Sequence, residues 1–338
     1  MSDPVPGSWR QGCQWISWER HQRSRSLAAE LGIRLREIAV SGGRLTRYWR
    51  CGTRTLALLS PARGRPHTVF VQVPSIVLGV LTIVLRGPLR LRVIVDAHNA
   101  VFENALKFKG PAGGVYRWLV RKADGVIVTN EAVAAQARTL GGRPFVLPDP
   151  VPALEPAGAA PPSNNVVVIS TWAEDEPLEA VLQAAQWLPD ELQLTLTGRP
   201  KGAAAQLAKR TARVIVPGFL PDAAYVSLLR SARVIVDLTM RDNCLVCGAY
   251  EALAVGRPLV VSDTRALRDL LRDGAIYCEN QPRAIASAIA QASAAEKAMA
   301  EKCNSRREAY RREWHEAANG LLRTLSAPQA RRRLHDEQ

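Results

Sequence analysis

Carboxylates are scarce in the first part of this 338-residue chain: residues 1–150 hold 9 Asp and Glu against 22 Lys and Arg, a net +13. Residues 151–300 hold 16 against 14, so the overall +14 belongs to the first half. Such a half suggests an anionic surface or substrate: phospholipid head groups, a lipid-linked phosphate or nucleic acid. Cysteine is sparse as well. Cys244 and Cys247 form the one CxxC, with no second pair and no His pair to complete four zinc ligands, which excludes a structural zinc site. No G-x-G-x-x-G follows an apolar run, and no G-x-x-x-x-G-K-[ST] occurs, so dinucleotide and P-loop chemistry are excluded. An Asp-x-Asp pair, which a metal-dependent nucleotide-sugar enzyme would use to hold Mg²⁺ or Mn²⁺, is also missing. The start MSDPVPGSWRQG lacks a basic-then-apolar leader, which points to the cytoplasm. The longest apolar run, Val69 to Leu85, is interrupted by Pro74 and is short for a bilayer, so it reads as a strand followed by a buried or interfacial helix. Basic residues are not interleaved with stacking aromatics, which argues against nucleic acid.

What is present alternates. Short β-branched runs such as Cys13–Trp18, Thr68–Val73, Leu91–Asp96 and Gly125–Thr129 are separated by helical patterns, and the same rhythm resumes after Asn165. That alternation predicts an α/β chain of two Rossmann-like, doubly wound parallel-sheet domains facing a cleft. The boundaries fall at an N-terminal domain over 1–150, a Pro- and Ala-rich linker over 151–164, and a C-terminal domain over 165–300. A terminal helix follows over 301–338. It carries Tyr310, Trp314, Ala317, Leu321 and Leu325 at helical spacing and is expected to pack back toward the first domain, ahead of a basic tail at Arg331–Arg333.

The segment Ser231 to Asp263 reads as strand, polar loop, helix over Cys244–Val255, and strand. In open α/β sheets a ligand sits off the carboxyl ends of the strands against the following helix N-termini. Glu251 falls two turns into that helix, on the side of Cys244, Cys247 and Gly248, where a carboxylate could accept hydrogen bonds from a pair of hydroxyls. The two cysteines read as small packing residues on an apolar helix face.

Within that segment NCLVCGAYEALAVGRPLVVSD resembles the donor-binding signature of GT-B glycosyltransferases, above all the family 4 nucleotide-sugar transferases. GFLPDAAYVSLLRSARVIVDLT, LQLTLTGRPKG, ISTWAEDEPLEAVLQAA, VIVDAHN and ADGVIVTNE extend the resemblance over roughly residues 13–294. It implies that Glu251, with Cys247 and Gly248 beside it, holds the nucleotide ribose of a nucleoside-diphosphate sugar, UDP-sugar favoured. Asn243, with Asp242 adjacent, stands where the family has the first glutamate of its Glu-x7-Glu pattern. The family's basic pair after the first strand of this domain is replaced by Ser170-Thr171-Trp172 with Glu174, Asp175 and Glu176. Phosphate contacts are therefore expected from Arg199 and Lys201, with Ser170 and Thr171 as neutral donors. His98 resembles the histidine that approaches the transferred sugar, with Asp96 and Glu103 as other candidate bases, and Arg23, Ser24, Asn99 and Glu103 form the acceptor side. No metal and no cofactor are implied. The expected reaction is sugar transfer, with retention, to a lipid-linked or saccharide hydroxyl at the cytoplasmic membrane face, where the enzyme is peripheral and in contact with an anionic surface. The rival readings are a nucleotide-sugar epimerase and a non-catalytic sugar-nucleotide sensor or scaffold subunit.

Overall fold

The structure, a computed structural model, describes residues 7–60, 66–73, 75–107, 110–154 and 163–327. Most of the 151–164 linker and the Arg331–Arg333 tail lie outside the described residues. The chain divides into two compact units, one of residues 1–149 with 313–338 and one of residues 150–312.

The first unit holds a six-stranded sheet built from β1 (Cys13–Ser17), β2 (Arg34–Glu37), β3 (Thr68–Val73), β4 (Arg92–Ala97), β5 (Gly125–Val128) and β6 (Pro144–Val146). The strand order is β2-β1-β3-β4-β5-β6, with every pair parallel. Its helices are α1 (Gly7–Gln11), α2 (Gln22–Glu30), α3 (Arg44–Leu59), α4 (Ile76–Arg86), α5 (Asn99–Lys107), α6 (Pro111–Lys122) and α7 (Glu131–Thr139). The apolar strands β3 to β5 are buried on both faces, as parallel strands flanked by helices must be. Leu78, Gly79, Thr82 and Ile83 of α4 are buried, so the helix after Pro74 is chiefly core. Helix α5 has no counterpart among the predicted elements. Its apolar signal, Val101, Phe102 and Ala105, spans only about one turn and is too brief to stand out as a period.

The second unit repeats the plan with β7 (Asn165–Val168), β8 (Gln193–Thr197), β9 (Val214–Gly218), β10 (Val234–Asp237), β11 (Leu259–Ser262) and β12 (Ile276–Cys278), ordered β12-β11-β10-β7-β8-β9 and parallel throughout. The helices are α8 (Leu178–Ala184), α9 (Gly202–Ala208), α10 (Asp222–Ser231), α11 (Cys247–Val255), α12 (Arg265–Leu271), α13 (Pro282–Ala294) and the long α14 (Glu296–Ser326). Strand order reverses between β7 and β10 here, and between β1 and β3 in the first unit. Those switch points are where adjacent crossovers run to opposite faces and leave a crevice at the strand carboxyl ends.

From Glu313 onward α14 groups with the first unit. There Trp314 Nε1 donates to Pro148 O at 2.8 Å. The buried stripe runs through Trp314, Ala318, Leu321, Leu322 and Leu325. Ala317, expected in the stripe, is exposed, because a step of four from Trp314 selects Ala318.

Candidate active site

At the switch point of the second unit, β10 ends in Asp237 and the chain loops over residues 238–246 before α11. The expected helix start at Cys244 is displaced to Cys247, with Val246 as its extended N-cap. Cys244 therefore lies in the loop and does not share the helix face with Glu251. Cys247 is exposed and is not packed as expected. The loop is tied to the one after β7: Met240 N donates to Asp175 O at 2.8 Å, and Arg241 pairs with Asp175 at 2.8 Å. Asp242 is exposed and Asn243 half-buried on this loop.

Asp237 Oδ2 accepts from Gly248 N at 2.7 Å, so the chain's own carboxylate caps the start of α11. Gly248 is required there, since a Cβ would collide with that same oxygen and with Ile169 Cδ1. One turn on, Glu251 Oε2 accepts from the Tyr225 hydroxyl of α10 at 2.5 Å. Burial pushes the Glu251 carboxyl up, and the Tyr225 hydrogen bond only partly opposes it. Burial likewise pushes Asp237 well up, with the Gly248 N–H opposing and the charges of Glu251 and Glu176 adding to the rise. Tyr225, half-buried and donating to Glu251, is held protonated by desolvation and by the charge of Glu251.

After β7 the donors expected to meet phosphate converge on one internal anion. Ser170 Oγ donates to Glu176 Oε2 at 2.5 Å, and Thr171 N and Oγ1 donate to Oε1 at 2.9 and 2.6 Å. Trp172 N adds a bond to Oε2 at 3.0 Å. Ser170 and Thr171 are thus engaged by Glu176 and not open to a ligand in this state. Trp172 adopts φ +60°, and its indole Nε1 donates to Thr197 O at 2.8 Å. Arg199 and Lys201 lie exposed beyond β8. The Arg199 guanidinium stands 4.9 Å from the centre of the Phe219 ring, and Lys201 is the N-cap of α9.

In the first unit His98 follows β4. Its ring lies edge-on to His21 at 4.9 Å, and Nε2 is 3.8 Å from Asp96 Oδ2. Burial and the neighbouring His98 lower the proton affinity of His21. Arg23 is not a free acceptor-side cation. It is buried, with Nε donating to Asp96 Oδ1 at 3.1 Å, Nη1 to Asp149 Oδ1 at 2.9 Å and Nη2 to Leu147 O at 2.9 Å. Ser24 is fully buried and its hydroxyl has no partner among the described residues. Asn99 opens α5, and Glu103 is exposed on it. The structure gathers His21, Arg23, Asp96 and His98 at the carboxyl end of the first sheet. In the second unit it gathers Tyr225, Asp237, Gly248 and Glu251.

Tyr225, Asp237 and Glu176 were not predicted as site residues. Asp237 carries a readable signal, a carboxylate closing an apolar strand, whereas nothing in sequence links Tyr225 to a glutamate 26 positions away. Among the described residues no group of three or more His, Cys, Asp or Glu could hold a metal ion.

Residues 11–150 match the model of the glycosyl transferase 4-like domain, and residues 163–294 match glycosyl transferases group 1. The chain belongs to the GT-B glycosyltransferases. Three solved structures show the same two-sheet architecture. Sucrose-phosphate synthase of Thermosynechococcus elongatus is 17% identical, with a TM-score of 0.71 over 93% of this chain and 98% of that one. HepE of Anabaena, solved in complex with UDP and glucose, is 12% identical, with a TM-score of 0.71 over 93% and 99%. An α,α-trehalose-phosphate synthase (UDP-forming) of Burkholderia vietnamiensis is 13% identical, with a TM-score of 0.63 over 89% and 84%. No curated protein matches the sequence of this glycosyltransferase.

Proposed function

We propose that this glycosyltransferase moves a hexose from a UDP-sugar to a hydroxyl of a lipid-linked or saccharide acceptor at the cytoplasmic face of a membrane, with retention and without a metal. The observation that carries the reading is the Glu251 carboxylate, held by Tyr225 beside the start of α11 at the second switch point. A vicinal diol offers two O–H donors to such a carboxylate. Because burial raises its proton affinity, those two bonds form best once the proton has left. HepE was solved with UDP and UDP-glucose, which supports UDP as the nucleotide.

Catalysis in this reading comes from stabilising the leaving diphosphate and orienting the acceptor. Arg199 and Lys201 supply positive charge. The donors around Glu176 supply neutral hydrogen bonds if that carboxylate gives way to a phosphate. The leaving phosphate oxygen takes the acceptor proton on the same face, and His98 approaches the sugar. Asn243 places an amide where a carboxylate would add negative charge beside an oxocarbenium-like centre. Among the described residues no helix is long and apolar enough to cross a membrane.

A second reading, a non-catalytic sugar-nucleotide sensor, is favoured by one observation: Glu176 already fills the donor set that a diphosphate would use. Turnover with UDP-, GDP- and ADP-sugars and a short polyprenyl-phosphate-linked saccharide separates the two. The transferase reading expects UDP release from a UDP-sugar, reduced about 10²-fold or more in His98→Ala with little change in nucleotide affinity. Nucleotide binding without turnover on any acceptor would select the sensor.

A further inference from the structure

Helix α3 carries an apolar line that nothing among the described residues covers. Leu45, Trp49 and Leu56, spaced by four and seven residues, lie on one side of the helix with 84%, 72% and 45% of their surface exposed. The inner side is fixed in the core by Cys51, Thr55 and Leu59, and Thr55 Oγ1 accepts from Trp18 Nε1 at 2.9 Å. Helix α4 packs beside it and leaves Val77 and Val84 exposed as well. The stretch of chain that carries this patch has charge of one sign. From Ile38 to Val95, 58 residues contain nine arginines and no Asp or Glu. Four of those arginines lie on α3, and Arg44, Arg50 and Arg54 are exposed.

We infer that α3 seats the first unit on an anionic lipid surface. The helix lies in the plane of the head groups with Leu45, Trp49 and Leu56 inserted and the arginines against lipid phosphates, as an amphipathic interfacial helix does. The charge selects an anionic surface, and the exposed aliphatic side chains select its acyl boundary over a nucleic acid, on whose bases they could not stack. The membrane-contacting element is therefore α3, not the more apolar α4, whose hydrophobic residues mostly face the core. This inference deepens the proposed membrane-face reaction and rests on that reading for its purpose, though not for its geometry.

Vesicle co-sedimentation of the full chain tests it, using phosphatidylcholine vesicles with and without phosphatidylglycerol, at low and high salt. Binding should require phosphatidylglycerol and weaken with salt. Trp49→Glu should lower the partition coefficient at least ~10-fold, and Arg50→Gln or Arg54→Gln by roughly fivefold each, with far-UV circular dichroism unchanged because these side chains are exposed. Equal binding to neutral vesicles, or an undiminished partition in Trp49→Glu, would overturn it. So would a self-association that Trp49→Glu abolishes while vesicle binding persists. Turnover on a water-soluble acceptor should be unaffected by Trp49→Glu. Lipid binding without turnover on any acceptor would leave this inference standing and remove the transferase reading alone.

Discussion

At the scale of single residues, the second-unit site holds two acids, a buried Asp237 and a half-buried Glu251, and satisfies them differently. Asp237 is buried, accepts from one backbone N–H, and feels the charges of Glu251 and Glu176. Its folded-state pKa lies above its unfolded value, so the folded chain holds a proton that the unfolded chain has released. Stability from this group is complete below the ordinary carboxylate range and is lost as pH rises through the folded value. Asp237→Asn keeps an acceptor for Gly248 N and removes the titration. Thermal melts should show the variant gaining on the parent as pH rises; a gap that does not change with pH would contradict the assignment. Glu251 has the same sign of shift, so the affinity for UDP should climb with pH and level off once the carboxyl is ionised, whereas Glu251→Gln should give a flat profile. Which residues would matter was partly readable at this scale. Glu251 stands out from its place in a strand-loop-helix unit. The donor role expected of Ser170 and Thr171 could not be tested from the sequence, because the partner that engages them, Glu176, looks in sequence like one of three surface acids on a loop. Arg23 misleads for a similar reason. Its carboxylate partners, Asp96 and Asp149, lie 73 and 126 positions away.

At the scale of elements, strands were easier to place than the loops that carry the chemistry. A buried parallel strand is an apolar, β-branched run and announces itself, while a loop's course depends on contacts with other loops. The loops after β7 and β8 show this. Gly198 adopts φ +84°, and a Cβ there would collide with Ser170 O, so the two turns touch backbone to side-chainless backbone. Gly198→Ala should cost about 2–4 kcal/mol from the left-handed conformation and the collision together, read as a lower denaturation midpoint. A neutral substitution would mean that this contact does not hold the site's floor. Helix α11 begins three residues later than its pattern suggests, since the apolar residues Leu245 and Val246 continue a helical period while the backbone is still extended at Val246. The same lesson applies to α3 and α4. From its sequence α4 reads as either buried or interfacial, and packing shows that Leu78, Gly79, Thr82 and Ile83 face the core.

At the scale of the whole molecule, alternation of strand and helix is enough to foresee two parallel sheets, and the resemblance of residues 243–263 to the family 4 donor-binding signature is enough to foresee a glycosyltransferase. The order of strands within each sheet is not written in that alternation, and it is the order that creates the reversals between β1 and β3 and between β7 and β10. Those reversals place His98 and Glu251 each at the strand carboxyl ends of its own unit, where side chains from separate turns can act on one ligand. The asymmetry of charge has a reading at this scale too, since the basic first unit contains the exposed line of α3 and the near-neutral second unit contains Asp237 and Glu251. The measurement that bears most directly on the central claim is isothermal titration of UDP into the parent chain and into Glu251→Ala. Binding by the parent and a loss of about 1.5–3 kcal/mol in the variant, roughly 10- to 150-fold in Kd, is the predicted result. Equal affinity in the two proteins would contradict it.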